Sequence, residues 1–204
     1  APLKENLAAG LIRLTGWDGS QPLVDPCCGS GVLLIEAALA ALQQAPGLER
    51  RFALEGWADF QPDLWDKEVD RARQRRRGDL TLPPLLGIET DPTIADQARA
   101  NVEAAGLSGV IHICTGSFQA EELPDGPGVL VCNPPYGQRI GDEQELDALY
   151  SALGQFVRQE ASGWQLWLLS GNPKLTGALR LKASRRIPVS NGGIDCRWLQ
   201  YEIR

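Results

Sequence analysis

Asn133-Pro134-Pro135-Tyr136 follows directly on the apolar run of residues 129–132. A hydrogen-bonded strand cannot pass through two prolines, and the residue before a proline is driven to extended geometry. The chain must therefore leave its sheet here stiffly. Held that way, the Asn133 side-chain carbonyl and the Pro134 backbone carbonyl are two acceptors that match the two hydrogens of an exocyclic amine on a nucleobase. The Tyr136 ring can stack on the flat face of the same base. Such a pocket suits a base turned out of its strand.

Two more stretches place chemistry at strand ends. In "DPCCGSG" (25–31), Gly29 and Gly31 let backbone approach a ligand closely, and a helix opening near Val32 aims unpaired N–H groups at it. No lysine follows Gly31, which excludes a triphosphate loop, and GSGVLL is not the GxGxxG of a dinucleotide site. Glu89 in "GIETDP" (87–92) can accept hydrogen bonds from two ribose hydroxyls. Asp91 competes for that role, with a helix-capping acid as its plainer reading.

Elements that would carry these residues are legible from periodicity and punctuation. Residues 6–17 have helical spacing, 22–25 read as a strand, and 32–45 as an apolar helix stopped by Pro46-Gly47. Residues 46–84 read as an insertion with a helix over about 63–77. A strand at 85–89, a helix with Gly106 as its C-cap, and strands at 110–115 and 128–132 come next. A helix over 143–160 presents Leu146, Leu149, Leu153 and Phe156 or Val157 on one face, and 164–170 is a fifth strand. The tail reads as two strands joined at Asn191-Gly192-Gly193. Strands alternating with helices predict an α/β fold, a doubly wound and mostly parallel sheet with a C-terminal antiparallel hairpin. Its ligands belong at the carboxyl ends of the strands, where strand order reverses.

With 204 residues, 43% of them apolar, the chain can bury one sizeable core, and a single domain is expected. No apolar stretch is long enough to span a membrane and no signal peptide is evident, so a soluble, cytoplasmic protein is expected. Five cysteines without CxxC spacing read as reduced core or loop residues. His112 alternates with Ile111 and Ile113 in a strand, and one histidine without a cysteine pair makes too small a ligand set for a metal site. A net charge of −6 argues against a broad phosphate-binding surface. Charge is nonetheless uneven. Residues 71–77 hold five arginines and 180–186 form a second basic cluster, which read either as solvated faces or as local contacts to RNA backbone. The absence of methionine and the start at Ala1 suggest a piece of something longer.

"DPCCGSG", "GIETDP" and "NPPYG", in this order and spacing, resemble the S-adenosylmethionine-dependent amino-methyltransferases, which have a Rossmann-like fold. NPPY by itself leaves adenine N6 and guanine N2 open as targets. "PLKENLAAGLIRLTGW", the tryptophan-bearing insertion, "NPPYGQRIG" and "NGGIDCRWLQYEI" together resemble the bacterial 23S rRNA guanine-N2 methyltransferases, over essentially the whole chain. That resemblance implies S-adenosyl-L-methionine as cofactor, 23S rRNA as partner, and an upstream THUMP RNA-binding domain. It makes Asp25, Cys27, Gly29 and Gly31 the loop around the methionine part of the cofactor and Glu89 the ribose ligand. Thr90 and Ser117-Phe118 flank the adenine, and Asn133, Pro134 and Tyr136 form the catalytic pocket. Two positions depart from the family pattern. Ser117 stands where relatives carry an acid, and a neutral hydroxyl makes a weaker bond to the adenine amine. Gln138 replaces a glutamate. The alternatives are an adenine-N6 methyltransferase acting on DNA or RNA, and a catalytically silent RNA-binding module.

Overall fold

The structure is a computed structural model that describes residues 3–48, 50–136 and 143–204. Seven strands form one sheet in the order β3-β2-β1-β4-β5-β7-β6. β1 (Leu23–Asp25), β2 (Leu85–Glu89), β3 (Ile111–Thr115), β4 (Val129–Cys132) and β5 (Gln165–Ser170) run parallel. β7 (Ile194–Glu202) adds antiparallel to β5, and β6 (Arg185–Asn191) closes the edge antiparallel to β7. The expected fold class is the one observed.

Burial explains why these segments are strands. Every residue of β1 and of β4 is buried, as a central strand covered on both faces requires; β4 reads as an unbroken apolar run, and β1 as a short one that ends on Asp25. β3, at the edge, alternates buried and exposed positions, with His112 on the exposed side. Strand order turns back between β1 and β4, which are direct neighbours with Leu23 opposite Val129 and Val24 opposite Leu130. The site must lie past the carboxyl ends of those two strands.

Helices α1 (Glu5–Thr15), α2 (Val32–Ala41), α4 (Pro92–Ala104) and α5 (Glu143–Glu160) cover the sheet. α2 stops at Ala41 rather than at residue 45, because Gln43 turns to a φ of 51° before Pro46 is reached. α4 closes on Ala105, with the left-handed Gly106 one residue further on than expected for the cap itself. α5 buries Leu146, Tyr150, Leu153, Phe156 and Val157 and leaves Leu149 half-buried, so Tyr150 takes the place expected of Leu149. The short α6 (Pro173–Ala178) was not expected. Six residues are too few for a periodic signal, although the Asn172 cap and Pro173 in the first turn mark its start. The predicted hairpin is present, and Trp167 of β5 stacks on Trp198 of β7 at 5.8 Å.

The insertion forms α3 (Pro62–Arg75), none of whose residues is buried. Trp65 meets Phe52 edge to face at 5.5 Å and Phe60 at 6.3 Å, so the segment is held by its own aromatic cluster.

Candidate functional site

The β1 end and the loop into α2 form one wall. Gly31 caps α2 with φ +80° and no side-chain cap, a conformation open to glycine at no steric cost. The first N–H groups of α2 therefore lack a side-chain acceptor and face the strand ends, a place suited to an anionic group. Asn101 of α4 steadies the loop from behind, its Nδ2 donating to the Ser30 carbonyl at 3.0 Å. Asp25 is 1% exposed and its Oδ1 accepts from the Cys27 N–H at 3.1 Å. Loss of solvent pushes its carboxyl up to about 8, against that hydrogen bond and with help from the nearby charge of Glu89.

Glu89, at the end of β2, reaches back to this loop. Its Oε2 accepts from the Gly29 N–H at 3.1 Å, and its Oε1 from the Asp91 N–H at 2.9 Å and the Thr90 hydroxyl at 3.3 Å. A carboxylate has about four acceptor sites. Two are held by backbone and the long Thr90 bond can be exchanged, which leaves room for two incoming hydroxyls. Asp91 has another task. It caps α4, accepting from the Thr93 N–H at 2.8 Å and the Ile94 N–H at 3.3 Å. Asp91 thus has the helix-capping role that was its plainer reading, and Glu89 is the acid turned toward the Gly29 loop.

Beyond β3, Ser117 accepts from the Gln119 N–H at 3.3 Å and caps a single tight turn, Phe118–Ala120. The Phe118 ring is buried edge to face on Phe156 of α5 at 5.3 Å. It is a packed ring rather than an open face.

At the end of β4, Asn133 is half-buried and Pro134 buried. The Asn133 Oδ1 is shut away from solvent with no hydrogen-bond partner among the described residues. A buried acceptor without a donor costs roughly 1–3 kcal/mol, so an N–H donor brought to this position would be favoured. Cys132, just before it, lies beside the Cys27 thiol, and burial raises its own thiol well above the ordinary range. The β1 loop and the β4 end thus meet directly.

Tyr136 is enclosed rather than open. Its hydroxyl accepts from the Asn191 Nδ2 at 2.8 Å, and its ring lies against Gly171, where an added Cβ would stand 3.2 Å from two ring carbons. Burial pushes the phenol up to about 12. The expectation that this ring stacks on a base meets a ring already covered by the hairpin in this structure. Asn191, 3% exposed, is the functional candidate that sequence reading missed. It stood in an obvious turn, and nothing local tells that its amide points inward. Residues 137–142, including Gln138, lie outside the described residues. Among the described residues no cluster of His, Cys, Asp and Glu could hold a metal ion.

Comparison with known proteins gives the site a context. The ribosomal RNA large subunit methyltransferase K/L of Marinomonas is 42% identical over 215 residues, a match covering 100% of this chain and 29% of that protein. SMU.472, a suggested methyltransferase solved with S-adenosylhomocysteine, superposes with a TM-score of 0.93 at 31% identity, over 100% of this chain and 53% of that one. A protein of Listeria monocytogenes described as a predicted N6-adenine-specific DNA methylase superposes with a TM-score of 0.89 at 30% identity, over 100% of this chain and 52% of that one. The chain thus spans from under a third to about half of the length of these relatives. Over residues 1–200 it matches the UPF0020 family model, the RMKL-like methyltransferase domain, and it belongs to that family.

Proposed function

We propose that this chain transfers a methyl group from S-adenosyl-L-methionine to the exocyclic N2 amine of a guanine in 23S rRNA. The observation that carries the reading is the buried Asn133 Oδ1, without a partner among the described residues, at the end of β4, beside the glycine loop and the Glu89 carboxylate. Support for an rRNA substrate comes from the large-subunit methyltransferase name of the Marinomonas relative. Support for the cofactor comes from the S-adenosylhomocysteine bound by SMU.472 and from the fit of the donor set. The α2 N–H groups would take the cofactor's carboxylate, Glu89 its ribose hydroxyls, and Thr90 and Ser117 would border its adenine.

When bound, the sulfonium supplies an electrophilic methyl group. Asn133 Oδ1 and the Pro134 carbonyl accept the two amine hydrogens. They turn the amine's lone pair out of conjugation with the ring and stabilise the positive charge that grows on nitrogen. Methyl transfer to that nitrogen would leave a neutral thioether behind, and the nitrogen would then release one proton to solvent. Holding the two reactants in line is the rest of the task. In the whole protein, a THUMP-type RNA-binding domain would supply part of the grip on rRNA.

Adenine N6 is the second reading, favoured by the description of the Listeria protein, since the same two acceptors fit that amine. Nucleoside analysis of rRNA and DNA from a deletion strain separates them. Loss of N2-methylguanosine from 23S rRNA is the expected result. Loss of N6-methyladenine, or no loss at all, would overturn the guanine reading.

A further inference from the structure

The last 35 residues carry seven Lys and Arg side chains against two Asp and Glu, in a chain that overall holds 20 against 26. Where that positive charge gathers, the fold leaves a groove of about 520 Å³ between α6 and the outer face of the β6–β7 hairpin. Strand register explains who lines it. Arg197 pairs with Pro188 across the hairpin and with Ser170 of β5, and Arg186 pairs with Leu199, so both guanidinium groups rise from one face. Leu181, Leu199 and Tyr201 make an apolar floor, and Asp195 is the one carboxylate on the lining. Among the described residues neither arginine forms an ion pair. Arg186 makes a single long bond, at 3.4 Å, to the Ala183 carbonyl.

This groove adjoins the candidate site. Gly171 lines it and is also the residue against which the Tyr136 ring packs. A strand carrying a base into the Asn133 pocket must place its neighbouring nucleotides on the surrounding surface, within one or two backbone steps. Two exposed guanidinium groups over an apolar floor offer what a single-stranded nucleic acid takes: cations for phosphate, and a flat surface for a ribose or base.

The basic cluster at 71–77 provides the contrast. Arg71 and Arg73 of α3 are within ion-pair reach of Glu68 and Asp70. The groove beside α3 borders the closing ends of α2 and α4, through Gln44 and Gly106. α2 begins at the site and runs about 15 Å away from it, so these arginines sit toward the opposite end of the sheet.

We infer that the groove between α6 and the hairpin, with Arg186 and Arg197, holds the RNA backbone next to the nucleotide that enters the Asn133 pocket. The inference rests on the RNA-methylating reading above, and binding tests it independently of methyl transfer. In the full-length protein, Arg186→Gln with Arg197→Gln is compared with Arg71→Gln with Arg73→Gln, using a fluorescent single-stranded RNA of mixed sequence across a salt series. Loss of two phosphate contacts should lower the slope of log affinity against log salt by about 1.4 and weaken binding at low salt. Affinity for S-adenosylhomocysteine should stay as it was. The α3 pair should change neither slope nor affinity by a comparable amount. An unchanged slope in the hairpin variant, or an equal fall in both variants, would overturn the groove. So would selective loss of binding to an acidic peptide in place of RNA. Loss of slope with a wild-type protein that leaves guanine unmethylated would keep the groove and remove the guanine reading.

Discussion

The two sides of the strand-order reversal are built differently. On the β3-β2-β1 side, the strand-end side chains have protein partners: Glu89 is held by two backbone N–H groups and Thr90, Asp91 caps α4, and Ser117 caps its own turn. On the β4-β5-β7-β6 side, the key acceptor, Asn133 Oδ1, has no partner among the described residues, and the loop that carries it leans on a hairpin far along the chain. One side offers acceptors that already have protein donors, and the other an acceptor without one among the described residues. Under the proposed reading, a carboxylate already held in place would align the cofactor, and an acceptor without a donor among the described residues would be the better one to take an amine.

The sharpest way to break this contrast is Asn133→Ala. Turnover should fall roughly 100- to 1000-fold, as removal of a preorganised polar partner in the transition state does, while calorimetry finds cofactor affinity intact. Equal loss of both would merge the two sides into one. Glu89→Ala should do the reverse, weakening the cofactor about 10- to 100-fold for the loss of charge-assisted bonds, with RNA binding in a gel-shift assay unaffected. Smaller effects are expected from Asn191→Ala, which strips the Tyr136 hydroxyl of its donor. Melting should show a loss of about 1–3 kcal/mol, and kcat should fall with cofactor affinity kept. A normal kcat would show that the hairpin only props the fold.

A pH series probes the cradle itself. Unfolded Asp25 releases its proton near the ordinary value of 3.8, whereas the folded, dehydrated carboxyl holds it to about 8. Between those limits the folded state binds more protons, so Asp25 makes stability fall as pH rises, levelling above 8. Asp25→Asn should flatten that fall in thermal melts taken from pH 5 to 9 without cofactor. An unchanged slope would mean that the site is wetter than its 1% exposure implies.

Much of this was legible in one dimension because it depends on local chemistry. Two prolines after an apolar run must end a strand, and glycines after Asp25 must open a turn, wherever the segment sits. The groups that were not legible depend on distant partners. Asn191 reads as a turn residue until the hairpin folds over β5 and buries its amide on Tyr136, 55 positions earlier in the chain. Phe118, placed beside the adenine by the resemblance, packs edge to face on Phe156 of α5, a contact that nothing local announces. α6 is too short to announce itself by period.

Sequence alone therefore determined the strand-end residues, the order of elements and the parallel sheet, because periodicity and proline or glycine geometry act over a few residues. Only the tertiary structure showed how the two acids are placed. Asp91 is consumed by the helix it starts, and Glu89 is turned to Gly29 across 60 residues. Tertiary structure also decided that Tyr136 is enclosed and that two arginines, eleven residues apart, share one face beside the site. Those outcomes follow from strand order and register, which bring together side chains whose separation along the chain carries no sign of their meeting.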